Sequence, residues 1–381
     1  MEGFKLTKTQ ELQRELFYRF AENEIRPIAR EMDETEEYSM DLVKKMQKCH
    51  FFGIPYGKEY GGAGADVLTY TLAMEEVSKV DASTGITLSV HTSLCCSCIN
   101  EFGTEEQKQA HLRPLVDGSK VGCFALTEPN AGTDASGVQK EARKEGDHYV
   151  LNGTSIFTTN SGFADTFIVF ALTDKSKGPK GMSAFIVDRT MPGVTVGTNI
   201  PRMGIRAASN CEVAYEDVIV PADRLLGAEG QGYKIAMTAL AGGRIGIGAQ
   251  SVGIAQGALN EAIKYVKERK QFGRNLAAFQ NTKFELADIK TRIDAAQLML
   301  YRAACEKEAG RPYGLYAAQC KYLCAATASD ATRRCLQLFG GYGYMREYDI
   351  ERMMRDAKIT EIYEGTSEVQ KIVIANHLKI K

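Results

Sequence analysis

The pattern of apolar and polar positions changes character twice along this chain of 381 residues. Apolar residues recur at helical spacing over 11–32, 36–46 and 66–80. Between 121 and about 226, short β-rich runs alternate with Gly, Pro, Asp and Asn turns, which predicts an antiparallel β-domain. From Tyr233 onwards the pattern is helical again, in longer stretches. The chain is therefore expected to fold as helices, then a β-domain, then a helical bundle.

These changes predict three domains in a multidomain α+β protein. We place an N-terminal α-helical domain at 1–120, a middle antiparallel β-domain, barrel- or sandwich-like, at 121–226, and a C-terminal helical bundle at 227–381. One apolar stripe steps by three and four residues, as bundle packing requires, through Leu286, Ile289, Ile293, Ala296 and Leu300. Within the middle domain, Asn152-Gly153 predicts a hairpin turn.

Composition and charge narrow the functional classes. Hydrophobic content of 44% and charged content of 25% are those of an ordinary soluble globular protein. The net charge of −1 gives no general attraction to nucleic acid or to an anionic membrane. No apolar stretch is long enough to span a bilayer, and the N-terminus lacks the apolar core of a secretory signal, so we expect a cytoplasmic, bacterial protein with no membrane contact.

The ten cysteines and five histidines form no metal-binding pattern. We expect no metal site and reduced, mainly structural cysteines. His91 lies in an apolar helical stretch and is predicted to be a structural histidine. Gly246 and Gly248 lie inside a helical pattern rather than after a strand, so they predict close helix packing instead of a dinucleotide-binding turn.

Three stretches could carry chemistry. The segment ITEIYEGTSEVQ, 359–370, places Glu364 where Gly-Thr-Ser interrupts two helical pieces, although helix interiors disfavour those residues. The loop at 126–134 is rich in hydroxyls and free backbone N–H groups; it could bind a polar ring or a phosphate, or be a plain interdomain connection. Phe157, before two threonines at a strand end, could stack on a flat cofactor, although a core position is the commoner explanation for a Phe.

Six motifs occur in order along the whole chain: LTEPNAGTDASG, IFTTN, GGRIGIGAQSVGIAQGAL, ERKQFGR, QLFGGYGY and IYEGTSEVQ. Together they resemble the acyl-CoA dehydrogenase family, and within it the short-chain (butyryl-CoA) branch. The resemblance implies an N-terminal helical domain, a middle β-domain and a C-terminal four-helix domain. It also implies FAD as cofactor, a homotetramer in which the FAD site is shared between subunits, an acyl-CoA substrate and electron exchange with an electron-transferring flavoprotein.

The resemblance assigns cofactor contacts by position. The 124–133 loop would cradle the flavin pyrimidine edge, Phe157 would pack against the ring system, and the Thr159 hydroxyl would bond flavin N5. Arg269, Phe272 and Gln280 would reach the FAD of a neighbouring subunit. The full set of expected FAD contacts is Phe124, Leu126, Thr127, Thr133, Phe157, Thr158, Thr159, Arg269, Phe272, Gln280, Gln337, Gly340, Gly341, Thr366 and Glu368.

The resemblance also implies the reaction, an α,β-dehydrogenation of a short- to medium-chain acyl-CoA to the trans-2-enoyl-CoA. Glu364 would remove the α-proton while the β-hydride passes to flavin N5; burial should raise the pKa of Glu364 toward working pH. Some relatives carry the base at the position of Gly243, so no second carboxylate competes here. Expected substrate contacts are Leu94, Cys95, Cys98, Thr133, Arg244, Tyr363 and Gly365.

Two departures and three alternatives accompany this expectation. Ala241 stands where close relatives have an acid contacting CoA, and the small Ser97 and Cys98 suggest either a roomier acyl pocket, for a branched or aryl-propanoyl chain, or simply tight core packing. The same machinery could run in reverse as an enoyl-CoA or aryl-acryloyl-CoA reductase, or pass electrons to O₂ as an oxidase. A DNA-binding, alkylation-response-like member of the fold is the alternative from another class, and the net charge of −1 speaks against it.

Overall fold

The computed structural model describes residues 5–379, and its first part is helical. The first helix begins with a capping box, in which Thr7 Oγ1 accepts from the Gln10 N–H and the Gln10 side chain accepts from the Thr7 N–H. Three π-helical segments interrupt the helical run, at Ala21–Ile25, Val90–Cys96 and Lys108–Leu112. The helices are α1 (Lys8–Phe20), α2 (Arg26–Thr35), α3 (Met40–Lys48), α4 (Val67–Ser78), α5 (Ala82–Ser89), α6 (Ser97–Phe102), α7 (Glu105–Gln107) and α8 (Arg113–Val116).

The middle of the chain forms one eight-stranded sheet. Its strands run in the order β6-β7-β3-β2-β4-β5-β8, with β1 added beside β4. A separate apolar cluster lies on this sheet and includes Tyr149, Phe167, Phe185 and Tyr215. The strands are β1 (Gly122–Ala125), β2 (Glu141–Glu145), β3 (His148–Thr159), β4 (Thr166–Leu172), β5 (Met182–Asp188), β6 (Val194–Asn199), β7 (Asn210–Pro221) and β8 (Leu225–Leu226).

Two sequence expectations about this sheet need correction. The sheet is mostly antiparallel, but β1 pairs with β4 in parallel over four residues, and β2 pairs with β4 in parallel at Glu141 and Leu172. Asn152-Gly153 is no hairpin turn: both residues lie within β3, at a register shift against β7. A Cβ at Gly153 would approach Lys140, so this glycine permits close packing between neighbouring segments, and the turn before β3 falls at 146–147 instead.

The last part of the chain is a bundle around one long helix, α9 (Gly232–Glu268). A Cβ on Gly246 would lie 2.6 Å from Ser89 Oγ, and one on Gly248 would lie 3.2 Å from Cys320 Sγ, which confirms the predicted close helix packing. The expected architecture of two helical domains flanking a sheet is confirmed. The remaining elements are β9 (Lys270–Gln271), β10 (Arg274–Asn275), α10 (Gln280–Glu308), α11 (Gly314–Leu338), α12 (Ile350–Ile359) and α13 (Ser367–His377).

Three smaller expectations also bear on function. His91 is fully buried, its Nδ1 accepts from the Gly122 N–H, and its Nε2 lies 3.1 Å from the Leu115 carbonyl, so it is a structural histidine. All ten cysteines are free thiols, and across 5–379 no group of three or more His, Cys, Asp or Glu side chains is placed to hold a metal ion. Of the described helices, none combines the length and the apolarity needed to cross a membrane.

Candidate active site

The helix break around Glu364 is a sharp turn between α12 and α13. The chain leaves α12 after Ile359, and Glu364 and Gly365 adopt left-handed conformations, with φ of 52° and 93°. Thr366 then caps α13, its Oγ1 accepting from the Val369 N–H. A left-handed conformation is uncommon for a residue with a side chain, and such strain is concentrated at functional sites. The turn projects one carboxylate out of the helical path.

The Glu364 carboxylate is shielded from solvent. Neither of its oxygens has a hydrogen-bond partner among the residues that the structure describes. Burial raises the pKa of Glu364 to about 7, while the positive charges of Lys321 and Arg244 pull it down. The Glu364 backbone N–H also makes no hydrogen bond within residues 5–379. A carboxyl group with a pKa near neutrality and a free neighbouring donor is equipped for proton transfer.

Gly243 on α9 makes room for this carboxylate. A Cβ built on Gly243 would overlap Glu364 Oε2 and would lie 2.9 Å from Leu94 Cδ2. The position where some relatives were expected to carry a base is thus directly beside Glu364. Only one acid can use this space, and here it is Glu364.

Several polar side chains surround the turn. Arg244 is buried, and its Nε has no hydrogen-bond partner among the described residues. The Tyr363 hydroxyl donates to Gln250 Oε1, which fixes the residue before the acid. Lys321 on α11 is fully buried, and its Nζ donates to the Gly365 carbonyl at 2.7 Å. Sequence reasoning missed Lys321; the available signal was a single cation within an otherwise largely apolar helical stretch.

The residues expected to border the acyl chain lie on the π-helical segment Val90–Cys96 and its continuation into α6. Leu94 is next to Gly243 and therefore next to Glu364. Cys95 packs against β1, since a Cβ on Gly122 would overlap its Sγ. Cys98 is fully buried. Of the three expected pocket residues, Leu94 is thus the one that lies near the acid, and the substrate-binding roles of all three stay predictions.

The loop that follows β1 is held by a buried ion pair. Glu128 accepts from the Gln139 and Lys140 N–H groups at 2.8 and 2.9 Å, and the Lys140 ammonium lies 3.1 Å from Glu128 Oε1 and donates to the Leu126 carbonyl. This clamp was not foreseen from the sequence. It leaves Thr127 partly exposed and Thr133 exposed.

Phe157 interrupts the pairing of β3 with β7. It has a φ of 56°, lies in an irregularity of the register and exposes 59% of its surface, so it is not a core residue. Thr159 is partly exposed, whereas Thr158 is buried with its Oγ1 unpaired among the described residues. Phe124, on β1, is half-buried against Phe170. The strand end therefore offers one open aromatic face beside one accessible hydroxyl.

Four of the residues expected near FAD line a groove of about 580 Å³ between the end of α9 and the end of α11, called here the Arg269 groove. They are Arg269, Gln337, Gly340 and Gly341. Arg269 lies over the ring of Tyr342, with its Cζ 5.2 Å from the ring centroid. Phe272 and Gln280 lie outside this groove and are exposed. Thr366 caps α13, and Glu368 is exposed in its first turn.

Another groove, of about 690 Å³, lies where α9 meets the turn before α11 and is called here the Lys234–Arg311 groove. Ala241 is in its wall, two residues before Gly243, and Tyr313 lines it as well. Lys234 and Arg311 place positive charge along it. An elongated anionic molecule could lie here and reach toward Gly243 and the acid.

These features fit a flavin dinucleotide, although the structure carries no ligand. The open ring of Phe157 can face a flat heterocycle, and the clamped loop at 126–133 presents hydroxyl and backbone donors. The Arg269 groove is large enough for part of a dinucleotide and supplies a guanidinium for phosphate.

Comparison with family models covers nearly the whole chain. Residues 7–119 match the acyl-CoA dehydrogenase N-terminal domain, 123–218 the middle domain and 230–379 the C-terminal domain. The exact boundaries after 120 and 226 stay a proposal.

Individual proteins match over the same length. A short-chain-specific acyl-CoA dehydrogenase of Clostridium acetobutylicum is 56% identical over 375 residues, covering 98% of this chain and 99% of the relative. A 3-(aryl)acrylate reductase of Clostridium sporogenes is 46% identical, covering 98% of this chain and 99% of the relative. A chain solved in work on the electron transferring flavoprotein of Acidaminococcus fermentans and flavin-based electron bifurcation superposes with a TM-score of 0.98, at 49% identity, covering 99% of this chain and 100% of that chain.

Proposed function

The chain belongs to the acyl-CoA dehydrogenase family, a family of flavin-dependent oxidoreductases, and from that premise we propose that it catalyses FAD-dependent α,β-dehydrogenation of short- to medium-chain acyl-CoA thioesters to trans-2-enoyl-CoA. One observation carries the assignment of the base. Glu364 presents a shielded carboxylate, unpaired among the described residues and with a pKa of about 7, in space that exists because Gly243 has no side chain.

The proposed proton transfer follows from this setting. A thioester α-proton is a very weak acid, so the base must be close, desolvated and matched in pKa to the working pH. The Glu364 carboxylate is shielded from solvent, and its pKa of about 7 is close to a neutral working pH. Its free backbone N–H is available to donate to the thioester oxygen, where negative charge develops as the proton leaves. The left-handed turn thus offers a base and a donor from the same residue.

Bound FAD would supply the hydride acceptor for the β-hydrogen. Phe157 and Thr159 are proposed to hold the flavin ring, with the 124–133 loop at its edge. Arg269, Gln337 and the adjacent glycines are proposed to hold the dinucleotide tail from a second subunit of a homotetramer. The electron partner is proposed to be an electron-transferring flavoprotein, because a chain of this fold at 49% identity was solved in work on such a flavoprotein.

The coenzyme end of the substrate is proposed to lie in the Lys234–Arg311 groove. Ala241 offers no carboxylate there, so one contact expected from relatives is missing. The acyl chain would extend past Leu94. The physiological direction is open to both readings, since the relatives include a short-chain dehydrogenase and a 3-(aryl)acrylate reductase.

An anaerobic titration of the purified flavoprotein with acyl-CoAs tests the proposal. Butyryl-CoA should bleach the flavin absorbance near 450 nm, and crotonyl-CoA should reoxidise the dithionite-reduced protein. Including 3-phenylpropanoyl-CoA measures the roominess of the acyl pocket, and a strong preference for butyryl-CoA would eliminate the aryl reading. Slow reoxidation in air separates a dehydrogenase from an oxidase. Flavin that no acyl-CoA reduces would refute the function.

The Glu364→Gln variant tests the base. The amide cannot accept the α-proton but has the shape of the carboxyl group, so we expect retained FAD and a rate of flavin reduction at least about 10³-fold lower, since both base and its electrostatics are lost. Stopped-flow absorbance measures this rate. Reduction at the wild-type rate would show that another group removes the proton.

A further inference from the structure

A buried lysine faces the turn that carries the proposed base. Lys321 lies on α11, exposes none of its surface and donates from Nζ to the Gly365 carbonyl at 2.7 Å. Gln370 Nε2 donates to the same carbonyl at 2.8 Å. Two donors from two helices thus converge on one backbone oxygen, at the residue directly after Glu364.

A fully buried ammonium is costly unless charge or dipoles compensate it. The compensation at this site comes from the Gly365 carbonyl and from three acids, of which Glu364 has the largest effect. Replacing a buried charged group by an apolar residue of similar volume is often neutral or stabilising, so the lysine calls for a role that an apolar residue cannot fill. The contact fixes a turn in which Glu364 and Gly365 both have positive φ, a conformation with little intrinsic preference in its favour.

We propose that Lys321 is a positioning residue: it holds the 364–365 turn through the Gly365 carbonyl and places a positive charge behind the catalytic carboxylate. This inference rests on the proposed function, since it concerns how Glu364 is held and charged. Lys321 touches neither substrate nor cofactor in this role; it acts through Glu364.

The charged groups around Glu364 and Lys321 affect the pKa of each side chain. Burial raises the pKa of Glu364, and Lys321 and Arg244 oppose that rise. Burial lowers the pKa of Lys321 to about 8, with Glu364, Glu361 and Glu368 favouring its charged form and Arg244 disfavouring it.

The negative charge of Glu364 also contributes to raising the pKa values of Tyr70, on α4, and Tyr363. Both hydroxyls have pKa values raised by burial and are neutral at working pH. The two cations are therefore the groups that favour the carboxylate form of Glu364, and Lys321 is the one bonded to its turn.

The test is the pH dependence of kcat/KM for butyryl-CoA in three variants. Lys321→Met removes the donor and the charge, Lys321→Gln keeps a donor without charge, and Lys321→Arg keeps both. Losing an opposite charge close to a buried carboxyl raises its pKa by about one unit or more. The acidic limb should therefore move to higher pH in the Met and Gln variants but not in the Arg variant. For a one-unit rise the loss at pH 6.5 is about eightfold and largely disappears by pH 9.

A loss that persists at pH 9 in the Met variant, and is smaller in the Gln variant, reports the positioning part of the role. Lys79→Met is the matched control, because its ammonium pairs with Glu76 at 2.6 Å rather than with the turn, and its acidic limb should stay in place. If the Met variant fails to retain flavin, the Gln and Arg variants decide. If the acidic limb lies at the same pH in the wild type, in Lys321→Met and in Lys321→Gln, this inference is overturned while the proposed function stands. If the wild type does not dehydrogenate acyl-CoA at all, the proposed function is overturned and this inference with it.

Discussion

At the scale of single residues, the site depends on the absence of a side chain at Gly243. A Cβ at that position would overlap Glu364 Oε2, and this close approach is made by the backbone of a long helix that cannot easily move away. The glycine is therefore as much a part of the site as the acid. Its helix propensity cost, about 1 kcal/mol relative to alanine, is accepted for the space it leaves.

Gly243→Ala is expected to lower the rate of flavin reduction by at least about tenfold, because the new methyl group must displace the carboxylate from its position. Gly248→Ala, on the same helix, is the matched control. Its Cβ would meet Cys320 Sγ and Leu300 Cδ1, both at 3.2 Å, so it should alter stability while leaving the rate near that of the wild type. Rapid-reaction kinetics and thermal denaturation measure the two effects. Equal rates in both variants would contradict this account of Gly243.

The sequence indicates Glu364 and its helix break, but their geometry could not be read from it. The positive φ of Glu364, the overlap with position 243 and the lysine behind Gly365 each join segments far apart in the chain. Periodicity and turn propensities are local, so they cannot report which side chains meet across α9, α11 and the turn. The motifs supplied the roles through family resemblance, and the fold supplied the contacts.

At the scale of elements, the expectations for features that local sequence patterns determine were correct, and those for features that depend on pairing between distant segments were not. The long helices were predictable because their apolar stripes are local and repeat many times. The hairpin predicted at Asn152-Gly153 was wrong because β3 continues through both residues and pairs with β7. Gly153 instead allows the close approach of Lys140. The parallel pairing of β1 with β4 was out of reach, since short strands do not encode their partner's direction.

One element junction carries a second buried acid that the proposed reaction does not use. Glu75 on α4 accepts from Gln297 Nε2 at 2.8 Å and from the Tyr301 hydroxyl at 3.2 Å, both on α10, and Arg14 on α1 lies 3.8 Å away. Burial raises the pKa of Glu75 from 4.5 to about 7. The folded protein thus holds this proton more tightly than the unfolded chain does, and the associated stability is lost as pH rises from 4.5 through 7.

Glu75→Gln should therefore stabilise the protein more at pH 8 than at pH 5.5, by about 1–2 kcal/mol, since the amide removes a buried charge that the wild type carries only at the higher pH. Denaturation of the holoprotein at the two pH values measures the difference. Glu76→Gln is the neighbouring control. Glu76 makes close ion pairs with Arg14 and Lys79, both at 2.6 Å, so its loss should destabilise at pH 8. A Glu75→Gln variant destabilised at pH 8 would contradict the prediction.

At the scale of the whole molecule, the described chain leaves part of its expected FAD site facing outward. The hairpin of β9 and β10 projects from the end of α9, and Phe272 at its tip exposes 92% of its surface with a φ of 52°. Its ring packs in a T-shaped arrangement against Phe279, with centroids 6.3 Å apart. A large exposed aromatic side chain held in a strained turn is suited to a partner surface, and a second copy of the chain is the partner that a shared FAD site requires.

Phe272→Asp is accordingly expected to yield folded protein of lower mass than the proposed homotetramer and with less bound flavin. Burying one phenylalanine is worth about 1.5–3 kcal/mol, and the loss recurs in every subunit while a carboxylate resists desolvation at the contact. Light scattering after size-exclusion chromatography gives the mass, and the ratio of absorbance at 450 and 280 nm gives the flavin content. Leu16→Asp is the control, because Leu16 on α1 is 65% exposed but belongs to no expected cofactor contact. If Phe272→Asp remained a tetramer with full flavin, the hairpin would have no part in assembly, and the tail of FAD would have to be held within one chain.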